Sequence, residues 1–127
     1  MIGLDIEVKN GYNNYLKIIL NGIEFSNYEW EIIYEDFMLP ANQEVKIFDS
    51  NIMDGDLFYN CIASNSYYMI FADIKAYPAG CERDDIETFE DFINSNCEIV
   101  LICTDCTFIE FYCKDRDVLD KVYQNCI

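Results

Sequence analysis

Tyr67-Tyr68-Met69-Ile70-Phe71-Ala72-Asp73-Ile74-Lys75-Ala76-Tyr77-Pro78 is the stretch that decides the fold. Its apolar run is too short for an ordinary buried helix and is rich in aromatic residues, so Tyr67–Ala76 reads as a strand. Pro78 and Gly80 end it. A strand this apolar belongs inside a sheet, with Ile70 and Phe71 expected in the core. Asp73 interrupts the run. An acid there is either a buried functional carboxylate with a raised pKa or a strand-end residue bonded to neighbouring backbone.

Working outward, Asp54-Gly55-Asp56 opens a helix that carries Leu57, Phe58, Cys61 and Ile62 inward. On the other side, Asp84 with Glu87 three residues on forms an acidic variant of the capping box. The helix behind it is expected to turn Ile86, Phe89, Phe92 and Ile93 to the core. Two strands follow, Glu98–Cys103 and Thr107–Cys113, with a tight turn at Thr104-Asp105-Cys106. A last helix starts at Asp115 and buries Val118, Leu119, Val122 and Tyr123.

Towards the N-terminus, Ile2, Leu4, Ile6 and Val8 alternate with Gly3, Asp5, Glu7 and Lys9, a strand with one solvated face. Asn10-Gly11 turns the chain into a helix with Tyr12, Tyr15, Leu16, Ile19 and Ile23 at helical spacing, and Gly22 suits its end. Tyr28, Trp30 and Ile32 make a second strand. Pro40 lies in a loop, with a short strand at Val45–Phe48. The order β-α-β-(β)-α-β-α-β-β-α indicates an α+β fold: one mixed, largely antiparallel sheet with about four helices, mainly on one face. No repeat or linker divides residues 1–127, which read as one domain.

Composition narrows the class. Apolar residues make up 52% of the chain and aromatics 16%, which excludes a disordered acidic tail. No run approaches the ~18 apolar residues of a membrane span. The N-terminus lacks the basic start of a signal peptide, so a cytoplasmic location is expected. Seven cysteines, an odd number, without an export signal read as buried thiols in a reducing compartment. Eight Lys+Arg against 24 Asp+Glu give a net charge of −16. Such a field repels nucleic acid and anionic membranes and attracts basic partners, or simply serves solubility.

The chain has no histidine, which removes Ser-His-Asp and Cys-His sites and the usual general base. No Gly-rich phosphate loop is present. Cys103-Thr104-Asp105-Cys106 sits between strands rather than at a helix N-terminus, so neither redox nor zinc chemistry is expected of it. Asp54-Gly55-Asp56 and Asp115-Arg116-Asp117 lack the later acidic ligands of a calcium loop and read as caps. No cofactor is expected. Two acidic segments are the candidate partner surfaces: Asp84, Asp85, Glu87, Glu90 and Asp91 on the third helix, and Tyr28, Glu29, Trp30 and Glu31 on the second strand. Large aromatics beside carboxylates make good interface anchors, although a core position for Trp30 is the commoner arrangement.

Gly3-Leu4-Asp5-Ile6, Ser26-Asn27-Tyr28-Glu29-Trp30 and above all Phe71-Ala72-Asp73-Ile74-Lys75-Ala76-Tyr77-Pro78 resemble the domain of unknown function 2691 family of low-GC Gram-positive bacteria. Cys97–Leu101 and Tyr112–Asp115 extend the likeness. The resemblance implies a small bacterial cytosolic protein and transfers no catalytic residue. The expectation is a non-enzymatic protein with a structural, regulatory or protein-binding role, for which a homodimer is compatible. One alternative is an immunity or inhibitor protein that neutralises a basic toxin or enzyme. The other is a carboxylate-dependent enzyme.

Overall fold

Strand alternation puts every second side chain on the same face of a sheet, and here two β-bulges reset that alternation. In this computed structural model, which describes residues 3–7, 14–39, 43–64, 66–104 and 108–126, the sheet forms from β1 (Gly3–Glu7), β2 (Tyr28–Leu39), β3 (Gln43–Val45), β4 (Ile52–Met53), β5 (Tyr68–Pro78), β6 (Ile99–Thr104) and β7 (Phe108–Cys113). The strand order is β1-β7-β6-β5-β2-β3, with β4 also pairing β2. All pairings among the described residues are antiparallel. Helices α1 (Tyr15–Ile19), α2 (Gly55–Ala63), α3 (Phe89–Asn94) and α4 (Arg116–Asn125) complete an α+β fold in the expected order. The Asn10-Gly11, Pro40 and Asp105-Cys106 readings fall outside the described residues.

The long pair β2–β5 carries the core. Tyr28, Trp30 and Ile32 face inward opposite Pro78, Ala76 and Ile74. The register slips at Ile33, so Tyr34 pairs Asp73 on the outer face and Glu35 pairs Ala72 on the inner one. A second slip falls at Ile70, after which Phe37 meets Met69 in the core. Those bulges correct one expectation. β5 is central as read, but its core residues are Met69, Ala72, Ile74 and Ala76, whereas Phe71 is 38% exposed. The strand also runs on to Pro78.

The inner face is covered by α1, α2 and α4 through Leu16, Ile19, Phe58, Ile62, Leu119 and Val122. Trp30 is 0% exposed. Its indole stacks on Phe58 at 4.1 Å with 3° between ring planes. Phe58 stacks in turn on Phe48 at 5.5 Å, and Phe37 stands edge-on to Phe48 and Tyr67. The Trp30 Nε1–H donates to the Phe25 carbonyl, so the indole meets its one polar need inside the core. The Tyr67 hydroxyl, just before β5, donates to the Ile62 carbonyl and accepts from the Leu16 N–H, tying the entry of that strand to α1 and α2.

Sequence punctuation does its work locally. Asp54 caps α2 by accepting from the Leu57 N–H, and Asp115 caps α4 by accepting from the Asp117 and Val118 N–H groups. Gly55 has a separate reason. The backbone at Phe25 and Ser26 passes so close that a Cβ there would overlap the Phe25 carbonyl. Gly22 follows α1 at φ +90°, the left-handed region that glycine tolerates. Tyr123, expected in the core, is exposed on the outer side of α4.

Ile74→Ala should cost about 2–5 kcal/mol in chemical denaturation, whereas Phe71→Ala should cost less than about 1 kcal/mol. Equal losses at the two positions would contradict the bulge at Ile70. Gly55→Ala should cost roughly 1–3 kcal/mol, because the Phe25 backbone has to shift to admit the methyl.

Candidate functional site

With the inner face closed by helices, chemistry falls to the outer face of the sheet. Its side chains form cross-strand rows. One runs Asp5, Glu110, Ile102, Asp73, Tyr34, and the next runs Gly3, Tyr112, Val100, Lys75, Glu31. Carboxylates therefore alternate with aromatic and aliphatic groups across five strands. Gly3 matters here, because a side chain at that position would collide with the Tyr112 ring lying over it.

Residues 81–97 cover one end of this face. A second, smaller core forms there from Tyr77, Phe92, Cys97 and Val100, flanked by Ile86, Ile102 and Tyr112. Tyr77 holds the segment down: its hydroxyl donates to the Asp84 carbonyl at 3.0 Å and accepts from the Asp84 N–H at 3.3 Å. The Asp84 carboxylate accepts from the Asn96 N–H, closing the loop on itself. Arg83 reaches back to β2 and pairs with both Glu29 at 3.0 Å and Glu31 at 3.3 Å. Burial pushes the Tyr77 phenol up to about 12.

These contacts redraw the candidate surfaces. Asp84, Asp85 and Glu87 do not lie on a helix: residues 81–87 are irregular and α3 begins at Phe89. The capping box is Thr88–Asp91, four residues later than the sequence suggested, because Thr88 accepts from the Asp91 N–H. Asp91 in turn accepts from the Glu87 and Thr88 N–H groups, which hold its carboxyl below the usual range. Asp84 and Asp91 are thus engaged structurally, while Asp85, Glu87 and Glu90 remain exposed. Phe89 and Ile93, expected in the core, are exposed as well.

On β2, Trp30 and Tyr28 are buried and cannot anchor a partner. Burial raises the Tyr28 phenol to about 12. Glu29 and Glu31 do face outward, partly neutralised by Arg83. Glu35 has been turned inward by the bulge and accepts from the Ile47 N–H. Burial raises its carboxyl above the ordinary range.

Where the covering segment meets the open sheet lies a cleft of about 400 Å³. Phe89, Phe92, Tyr112 and Ile102 wall it, and Asp73, Lys75, Glu87 and Glu110 supply its polar groups. A more open depression of about 540 Å³ shares Asp73, Lys75, Ile86 and Glu87 and extends towards Glu31 and Ile33. Asp73 is not at a strand end. It lies mid-strand and binds the Lys75 Nζ at 2.9 Å, with side-chain exposures of 30% for Asp73 and 6% for Lys75. Taking an ammonium this far out of water is costly and rarely adds net stability, so the pair is better placed to orient Asp73 than to hold the fold. The sequence signalled Asp73 by its interruption of an apolar run. Nothing in the sequence signalled that Lys75, Glu110 and Tyr112 would join it.

The cysteines take no visible part in this site. Cys61, Cys97, Cys103 and Cys113 are buried, Cys81 is exposed, and Cys106 lies outside the described residues. Burial raises the Cys97 and Cys113 thiols to about 11.

The sequence profile described as "Protein of unknown function (DUF2691)" matches residues 1–127, and the chain belongs to that family. It is 32% identical over 128 residues to the uncharacterized protein YncE of Bacillus subtilis (strain 168), covering 98% of this chain and 84% of the relative. No solved structure matches. No helix among the described residues is long and apolar enough to cross a membrane.

Tyr77→Phe removes both hydrogen bonds to Asp84 and should cost about 1–2 kcal/mol at neutral pH. A phenol raised on folding contributes stability that is intact below its unfolded value of 10.0 and lost as pH climbs through about 12. Urea unfolding should therefore show the variant losing less stability than the parent over that alkaline window. A variant with the parent's neutral stability and alkaline profile would mean that Tyr77 does not hold residues 81–87.

Proposed function

We propose that this chain is a non-catalytic binding module that captures a basic protein on the open outer face of its sheet. The observation that carries the reading is the pattern of that face. Exposed Tyr34, Phe71 and Phe108 stand among Asp36, Asp73, Glu110 and Glu7, and Lys75, a cation in their midst, is already paired. Exposed aromatics supply contact area, and carboxylates around them select a positive partner. The net charge of −16 adds long-range attraction and opposes a second copy of the same chain as the occupant. An immunity or inhibitor protein acting on a basic enzyme fits within this reading, as does a regulatory partner of a basic protein.

A carboxylate-dependent enzyme is the second reading, favoured by the gathering of Asp73, Glu87 and Glu110 around one cleft. Against it, Asp73 is committed to Lys75, and Glu110 accepts from the Tyr112 hydroxyl at 3.2 Å. Each carboxylate thus has one oxygen already engaged by a neighbouring side chain.

A pull-down from a lysate of the source cells, run at low and then high salt, tests the proposal. The captured protein should be basic and should associate more slowly as salt rises, with dissociation little changed. Tyr34→Ser, Phe71→Ser and Phe108→Ser together should abolish capture while leaving the fold intact, because all three side chains are exposed. Neutralising Glu90 and Asp120, away from the open face, should leave capture unchanged. Capture that survives the triple variant would place the contact elsewhere.

A further inference from the structure

Resting on the binding reading, we propose that the cleft beside α3 seats a single arginine side chain of the partner. Asp73, Ile102 and Glu110 are consecutive in one cross-strand row, so Ile102 lies directly between two carboxylate-bearing positions. Adjacent strands lie 4.7–4.9 Å apart, which sets the two outer Cα atoms roughly 10 Å from one another. A planar guanidinium resting over Ile102 meets one carboxylate on each side, and its fork of donors suits both. A lysine ammonium is a point charge and satisfies one side at a time.

Lys75 Nζ occupies Asp73 Oδ1, and the Tyr112 hydroxyl occupies Glu110 Oε2. Each carboxylate is thereby fixed through one oxygen and offers the other, Asp73 Oδ2 and Glu110 Oε1. Lys75 is 5% exposed and positions Asp73 without filling the cleft. Asp73, Glu87 and Glu110 against Lys75 leave the lining net negative.

Phe89, Phe92 and Tyr112 form a cluster with ring centroids 5.8 to 6.4 Å apart. Phe89 is 54% exposed although it starts a helix whose neighbour Phe92 is buried. An exposed ring at a cleft mouth gives a guanidinium a face to stack on and its alkyl stem a surface to cover.

Titration of the isotopically labelled protein with arginine amide, lysine amide and citrulline amide, followed by amide chemical shifts, tests this. Arginine amide should produce saturable shifts centred on Ile102, Phe89 and Tyr112. Glu110→Gln, an exposed substitution that keeps the fold, should weaken that binding about tenfold, the loss of one charge-assisted contact. Citrulline amide, nearly isosteric but with an uncharged side chain, should give no saturable shift, and lysine amide should bind more weakly than arginine amide. Unchanged arginine affinity in Glu110→Gln, or shifts scattered over the acidic surface without saturation, would overturn the pocket. The two proposals fail separately. If the triple aromatic variant loses the basic partner while Glu110→Gln binds arginine amide as the parent does, the docking face stands and the arginine pocket does not.

Discussion

The stack of Trp30 on Phe58 is the contact on which the rest of the structure depends. It joins the longest strand to α2 through two fully buried rings, and the chain on either side is arranged to permit it. Phe25 turns back to give its carbonyl to the indole N–H, which brings its backbone against Gly55. Only a residue without a side chain lets α2 start there. Phe48, Phe37 and Tyr67 then extend the aromatic contact to β5 and α1. Buried aromatics of this size dominate a core's energy, so the inner face is where the stability of the molecule resides.

Committing the inner face to stability frees the outer one. That face carries only a partial cover, residues 81–97, held by Tyr77, Arg83 and the Thr88–Asp91 cap rather than by a large apolar surface. The remainder leaves aromatic rings and carboxylates in the open. A strand pair such as β2–β5, long and twice bulged, is well suited to this division, because each bulge exchanges the faces of the residues beyond it. The bulge at Ile33 sends Tyr34 outward and Glu35 inward, and the bulge at Ile70 sends Phe71 outward.

Those bulges also mark the limit of what the sequence disclosed. Element type and order were legible because Tyr28/Trp30/Ile32 and Leu57/Phe58/Cys61/Ile62 carry unambiguous periods of two and 3.6. Which face Tyr34 or Phe71 occupies was not legible, since one inserted residue inverts the alternation and leaves no local signature. The cap of α3 was misread by four residues because Asp84 and Thr88 both have an acid three places on. Only the tertiary bonds of Asp84 to Tyr77 and Asn96 show which of them opens the helix. The cleft was visible only as the oddity of Asp73. Glu110 and Tyr112 reach it through strand pairing more than thirty residues away in sequence, and no spacing rule anticipates that.

One sheet thus has a closed aromatic face and an open aromatic–acidic face. Hydroxyl-radical footprinting of the native protein reads both faces at once, since every side chain in question is aromatic. Rapid oxidation of Tyr34, Phe71 and Phe108, with Trp30, Phe37 and Phe58 protected until the protein unfolds, is the predicted result. Oxidation of Trp30 at the rate of Tyr34, or protection of Tyr34, Phe71 and Phe108 equal to that of Trp30 in the free monomer, would contradict it.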